Sequence, residues 1–230
     1  MKRLLIGTLS LLLSACSTHE TASTGGGEQV DNPKHVSERV MIEARPVSLR
    51  EMVAKADRIL IGQVENSYAD QKKVPGVESP ILVQFVTFHV FKVLKAPKDL
   101  EDLREGRSYT IRQLAELSRP VNKGEMLLWY LAPDSELGLT QPIGIQSGDF
   151  RLVNNGKAAI NLKANERLMD IETVQEEKAQ LASQFPADQR AQFLAQVDKW
   201  IKSAETRPTG QPVPLDLLIA RTQQLASRDK

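Results

Sequence analysis

Apolar and polar positions alternate through the middle of the chain and recur at helical spacing toward its end, with the change near residue 172. A short helix is expected before the alternating part. Ser48-Leu49-Arg50-Glu51 has the form of a capping box, with Val47 and Met52 placed for a hydrophobic staple. Leu49, Met52, Val53 and Ala56 then share a face, which predicts a helix over 48–56. Arg58 to Val64 is an apolar run of strand length, and Gly62 inside it predicts a bulge or a close backbone approach. Residues 69–80, with Pro75, Gly76 and Pro80, are expected as a loop.

Ile81 to Leu94 is long, rich in Val, Phe and Ile, and apolar on both faces, which fits a strongly bent strand. Further strands are predicted at 108–114, 126–131, 143–146, 150–153 and 158–162. Lys123-Gly124 marks a turn before the fourth run, Pro133 stops it, and Asn155-Gly156 is a type I′ hairpin signal between the last two. In the tail, Val174, Lys178, Leu181 and Phe185 share a helical face that Pro186 ends or kinks. Phe193, Val197, Trp200, Ile201 and Ala204 form the stripe of a helix over 187–205. Residues 206–214 carry three prolines and Gly210, a stiff connector. A last helix over 214–227 has Pro214 at its start, Asp216 in its first turn and Arg228 near its end. Such stripes ordinarily find their own core, and Trp200 is the residue to watch if they serve a partner instead.

The expected fold class is therefore α+β: a small antiparallel β-barrel of OB-like type, with a β-sandwich as the alternative, followed by a C-terminal helical extension. The barrel with its leading helix is placed at 39–165 and the extension at 172–230.

The amino terminus has a different pattern. Lys2 and Arg3 precede an apolar stretch from Leu4 to Leu13, too short for a permanent membrane helix, which needs about twenty residues. Residues 1–15 fit a signal peptide. Leu13-Ser14-Ala15-Cys16 follows, and it resembles the lipobox of bacterial lipoproteins. That resemblance implies a diacylglyceryl group on the Cys16 thiol, cleavage before Cys16 and acylation of the freed amine. Two or three acyl chains, at about 0.8 kcal/mol per buried CH₂, hold a protein to a bilayer stably. Ser17, where an aspartate would favour inner-membrane retention, implies an outer-membrane anchor facing the periplasm. Residues 16–38 are rich in Ser, Thr, Gly, Glu and Asn without apolar periodicity, so they are expected as a flexible lipidated tether. A coil of about twenty residues spans on the order of 25 Å.

Composition narrows the partners. The chain of 230 residues is 41% hydrophobic and 26% charged, enough for a real core. Loss of Lys2 and Arg3 with the leader leaves 28 basic against 29 acidic residues, and no basic block marks a nucleic-acid protein. The single cysteine excludes an intramolecular disulfide.

Ala56 to Val64, Thr87 to Lys95, Gly124 to Leu131 and Gly144 to Leu152 together resemble a loosely defined group of bacterial envelope proteins with a small β-domain of OB or netrin/TIMP outline. This chain has Ala96 where such proteins often have glycine. The resemblance implies no settled activity and supplies no catalytic residue.

No catalytic constellation is legible either. There is no Gly-x-Ser-x-Gly, and the expected lipid occupies Cys16. His19 and His35 lie in or beside the tether. His89 sits between Phe88 and Val90 on a β-run, a surface or satisfied histidine rather than a general base. The histidines and cysteine show no metal-ligand spacing, and Gly25-Gly26-Gly27 lacks the strand and Gly-Lys of a phosphate loop. The carboxylate pairs Asp57/Glu65 and Asp134/Glu136 are expected as surface groups. No cofactor is expected beyond the covalent lipid. The leading expectation is a non-enzymatic binding or accessory lipoprotein with an envelope protein or glycan as partner. A protease-inhibitor-like module, by fold analogy alone, and a hydrolase with an unrecognised site are the alternatives.

Overall fold

The computed structural model describes residues 47–73, 78–98, 100, 102–161, 168–206 and 211–228. The expected leader, Cys16, the tether, His19 and His35 lie outside the described residues. Within them the chain is α+β: one helix, six strands, two helices, a short seventh strand of the same antiparallel sheet and a last helix.

Helix α1 (Leu49–Lys55) begins at the expected cap: the Glu51 N–H donates to Ser48 Oγ at 3.2 Å. Val47 and Met52 are both buried, as a staple requires. The strands are β1 (Arg58–Lys72), β2 (Ile81–Lys95), β3 (Ser108–Leu114), β4 (Met126–Leu131), β5 (Asp149–Val153), β6 (Ala158–Asn161) and β7 (Val213–Pro214). They pair antiparallel in the order β3-β2-β1-β4-β5-β6-β7. The sheet is not closed, since β3 and β7 end it, and so a barrel does not follow from the strand pairing.

Three boundaries differ from those expected, each for a local reason. The first strand continues through Asn66 to Lys72 because β2 pairs with it along that whole length. Exposure on both faces there makes the sequence polar and loop-like. Residues 143–146 are a turn rather than a strand, with left-handed φ of 62° at Gly144, 42° at Ile145 and 74° at Gln146. Only Pro142 bridges, to Leu131. Residues 213–214, expected inside the connector, add a two-residue strand beside β6.

Alternation along β1 and β4 sends side chains to separate cores on the two sheet faces. On one face Ile59, Ile61, Leu128, Tyr130, Phe150 and Ala159 meet α1 and the helices α2 (Ile171–Ala182), α3 (Ala187–Thr206) and α4 (Leu215–Arg228). The helical stripes thus pack on the sheet, with Trp200 only 8% exposed. On the other face Leu60, Val64, Phe88, Val90, Ile111 and Trp129 pack together with Leu103 and Val121 from the connections. That second core needs curvature. Register shifts between Ile59 and Leu60, Ile61 and Gly62, and Val64 and Asn66 supply it. At Gly62 the strands touch so closely that an added Cβ would lie 2.1 Å from the His89 carbonyl oxygen. The curl brings the β4–β5 connection to the β3 edge, where the Thr140 N–H donates to the Arg112 carbonyl at 2.9 Å.

Candidate functional site

Arg58 opens β1 on the face of the second core, side chain 2% exposed. A guanidinium so buried must be met by acceptors. Its Nη1 donates to the Tyr109 hydroxyl at 2.7 Å, and its Nη2 to the Ala132 carbonyl at 3.3 Å and to Asp134. Nε faces the Asp57 carboxylate at 3.5 Å, an ion-pair distance without a hydrogen bond. Burial works against the charge, but the Asp134 hydrogen bond, Tyr109 and the Asp134 charge outweigh it and hold the Arg58 pKa above its ordinary value. The side chain thus ties β1 to β3 and to the β4–β5 connection.

Beside this group lies a pocket of about 500 Å³, lined by Arg58, Leu100, Asp102, Tyr109, Ile111 and Arg112 among others. A second, of about 630 Å³, runs along Arg104, Arg107 and Ser108 and shares Asp102, Tyr109 and Thr110 with the first. Together they form a polar trough beside β3. Its carboxylates are not joined by His89, which lines neither pocket.

His89 lies on the opposite sheet surface. Its Nδ1 is 3.5 Å from Glu65 and its ring meets Phe91 edge-on at 5.4 Å. This surface continues the helix-covered face beyond the reach of the helices. Tyr68 stacks on Phe85 at 5.0 Å, Lys72 lies over the Phe85 ring, and Thr87 meets Thr110 at 3.3 Å. Tyr68 is 52% and Phe91 44% exposed, so a three-stranded platform of rings and hydroxyls faces solvent.

The expected carboxylate pairs are not assembled as acid and base. Asp57 faces Arg58 and Glu65 faces His89, while Asp134 binds Arg58 and Glu136 is exposed in a turn. A different cluster is largely buried, and no local spacing in the sequence marks it. Arg119 donates to Asp149 at 2.6 Å and to Glu125 at 2.8 Å, and the Trp129 indole donates to Asp149 at 2.8 Å. These acceptors and donors satisfy one another, which marks a structural tie across β4, β5 and the 119–125 connection. Arg58 had one sequence signal, a charged residue at the head of an apolar strand.

Among the described residues no group of three or more His, Cys, Asp or Glu side chains is placed to hold a metal ion. No helix among them is long and apolar enough to cross a membrane. No protein-family model matches this chain, and no curated protein matches it either.

Proposed function

We propose that the chain is a non-enzymatic binding or accessory lipoprotein of the bacterial envelope, held by lipid on Cys16 and presenting its sheet to a protein or glycan partner. The observation that carries the binding role is the bare platform of Tyr68, Phe85, His89 and Phe91. Aromatic rings left in water on a flat strand surface lose hydration cost when a partner covers them. Leu13-Ser14-Ala15-Cys16 supports the anchor, and Ser17 supports an outer-membrane, periplasm-facing site. We also read the curl as a partly closed, OB-like barrel, supported by the Thr140–Arg112 bond at the β3 edge.

The anchor is tested by Cys16→Ser. The variant is expected in the soluble fraction, and sedimentation with membranes in high salt would refute lipid anchoring. The binding role is tested by cross-linking in intact cells, comparing the native chain with a Tyr68→Ser/Phe91→Ser double variant. A partner should be recovered by the first and lost by the second. Failure to recover any reproducible partner counts against the reading.

A further inference from the structure

The free edge of β3 lies along the trough, and its backbone phase is fixed at both ends. Val90 N–H donates to the Arg107 carbonyl and Ala115 N–H to the Leu82 carbonyl, each at 2.9 Å. In an antiparallel ladder alternate residues then turn their N–H and C=O toward β2: Tyr109, Ile111, Gln113 and Ala115, with the Arg107 carbonyl before them and its N–H given to the Arg104 carbonyl at 3.3 Å. Ser108, Thr110 and Arg112 turn theirs outward. Thr140 already uses the outward Arg112 carbonyl, and the Gln141 amide donates to the Leu114 carbonyl at 3.4 Å. The chain therefore lays one end of its own segment on this edge and leaves Ser108 and Thr110 unpaired among the described residues.

Exposed edges are ordinarily blunted by proline, bulges or inward charge. Ser108-Tyr109-Thr110-Ile111-Arg112 has no proline, and its register with β2 runs without a shift. A regular, unblunted edge is instead set beside two adjoining pockets. Leu100 and Ile111 contribute apolar lining, and Arg107 and Arg112 are exposed cations without an ion-pair partner among the described residues.

We propose that this edge accepts an extended peptide by β-strand addition, with one row of acidic side chains set against Arg112, which lies opposite Phe85 in the ladder, and the alternate, apolar row set over Leu100 on the second-core side, where Arg107 lies opposite Val90. Backbone pairing with Ser108 and Thr110 supplies affinity, and the two side-chain rows supply selectivity. The occupant is an acidic strand of another envelope protein, not a glycan, since a glycan offers no regular amide edge. The inference rests on the binding-module reading and gives its partner a chemical class.

The test uses the full chain with Cys16→Ser and an end-capped, fluorescent peptide of about six residues, a typical strand length, alternating valine and glutamate. Anisotropy should show saturable binding that weakens with salt. N-methylation of the alternate amides that face β3 should lower affinity by about tenfold, the loss of a pair of backbone hydrogen bonds. Methylation of the other set should leave affinity unchanged. Thr110→Pro removes an outward N–H that β2 does not use, and it should weaken binding similarly with the thermal melt retained. Arg112→Glu, which reverses the charge facing the glutamate row, should abolish it.

No saturable binding, or equal binding of both methylated peptides, overturns the proposal while leaving the binding module standing. In cells, a partner lost with Tyr68→Ser/Phe91→Ser but kept with Thr110→Pro also overturns it and supports the module. Loss of the partner with Thr110→Pro alone supports strand addition and moves the binding surface from the platform to the trough.

Discussion

At Gly62 one carbon decides whether β1 and β2 can stay paired. The space that a Cβ would need is occupied by the His89 backbone and the Phe88 ring, neither of which is a flexible side-chain tip. Gly62→Ala is expected to cost at least about 2 kcal/mol, as overpacking of a tight core does. Urea unfolding measures it, and an unchanged midpoint would mean that the strands separate easily. Asp149 is decided by charge. It is 3% exposed, with Arg119 and Trp129 as donors, so Asp149→Asn leaves Arg119 with Glu125 alone. The expected loss is about 3 kcal/mol, the low end for breaking a buried pair, read from the same unfolding curves. Glu125 adds a pH dependence. Burial opposes its ionisation, but Arg119 and Asn122 hydrogen bonds and the Arg119 and Arg151 charges win, so its pKa is lowered. A folded pKa below the unfolded one contributes stability that is complete above about pH 4.3, the ordinary glutamate value, and is lost as pH falls through the folded value. Glu125→Gln should flatten that acid limb of the stability profile. An unaltered limb would show that other carboxylates dominate it.

The elements differ in how far their pattern reveals them. Helix faces were legible because Val174, Leu181, Phe193, Val197, Ile201, Leu218 and Leu225 all meet a core, and burial preserves period. The distal half of β1 was not, because nothing covers it: Asn66 and Tyr68 to Lys72 are exposed, and the ladder to β2 alone makes them a strand. The same logic misread 143–146, where Ile143 and Ile145 alternate as a strand would. Gly144 is packed against Val47 and Ser147 there, and Gly148 against the Tyr130 carbonyl, so close approach rather than pairing sets the conformation. Arg58 and the Arg119–Asp149 pair were illegible as sites, since their partners are 51 and 30 residues away in sequence. Unequal cover along β1 has a dynamic consequence. Its first residues pair with β2 and β4, its last with β2 only. Hydrogen exchange followed by mass spectrometry should show amides of 66–72 exchanging faster than those of 126–131. Equal protection would mean that another strand or partner covers the ribbon.

Across the whole molecule, the helix-side core is assembled from both ends of the described chain. The buried Tyr130 hydroxyl, whose pKa burial pushes upward, lies 2.7 Å from the Thr222 hydroxyl, joining a central strand to the last helix. Tyr130→Phe leaves that threonine without its partner and should cost about 1–2 kcal/mol, measured by thermal or urea unfolding. A cost near zero would show that Thr222 finds another acceptor. Helix α4 also packs against α1, and the Leu215 N–H donates to the Lys157 carbonyl as the chain enters it. Contacts between the earliest and latest described helices impose an order on biogenesis. Until residues 215–228 are made, α1 lacks the helix that packs on it and Tyr130 lacks its hydroxyl partner, so the earlier chain cannot complete this core alone. A chain cut before residue 215 is therefore expected to leave the helix side of its sheet open, however well its earlier elements form.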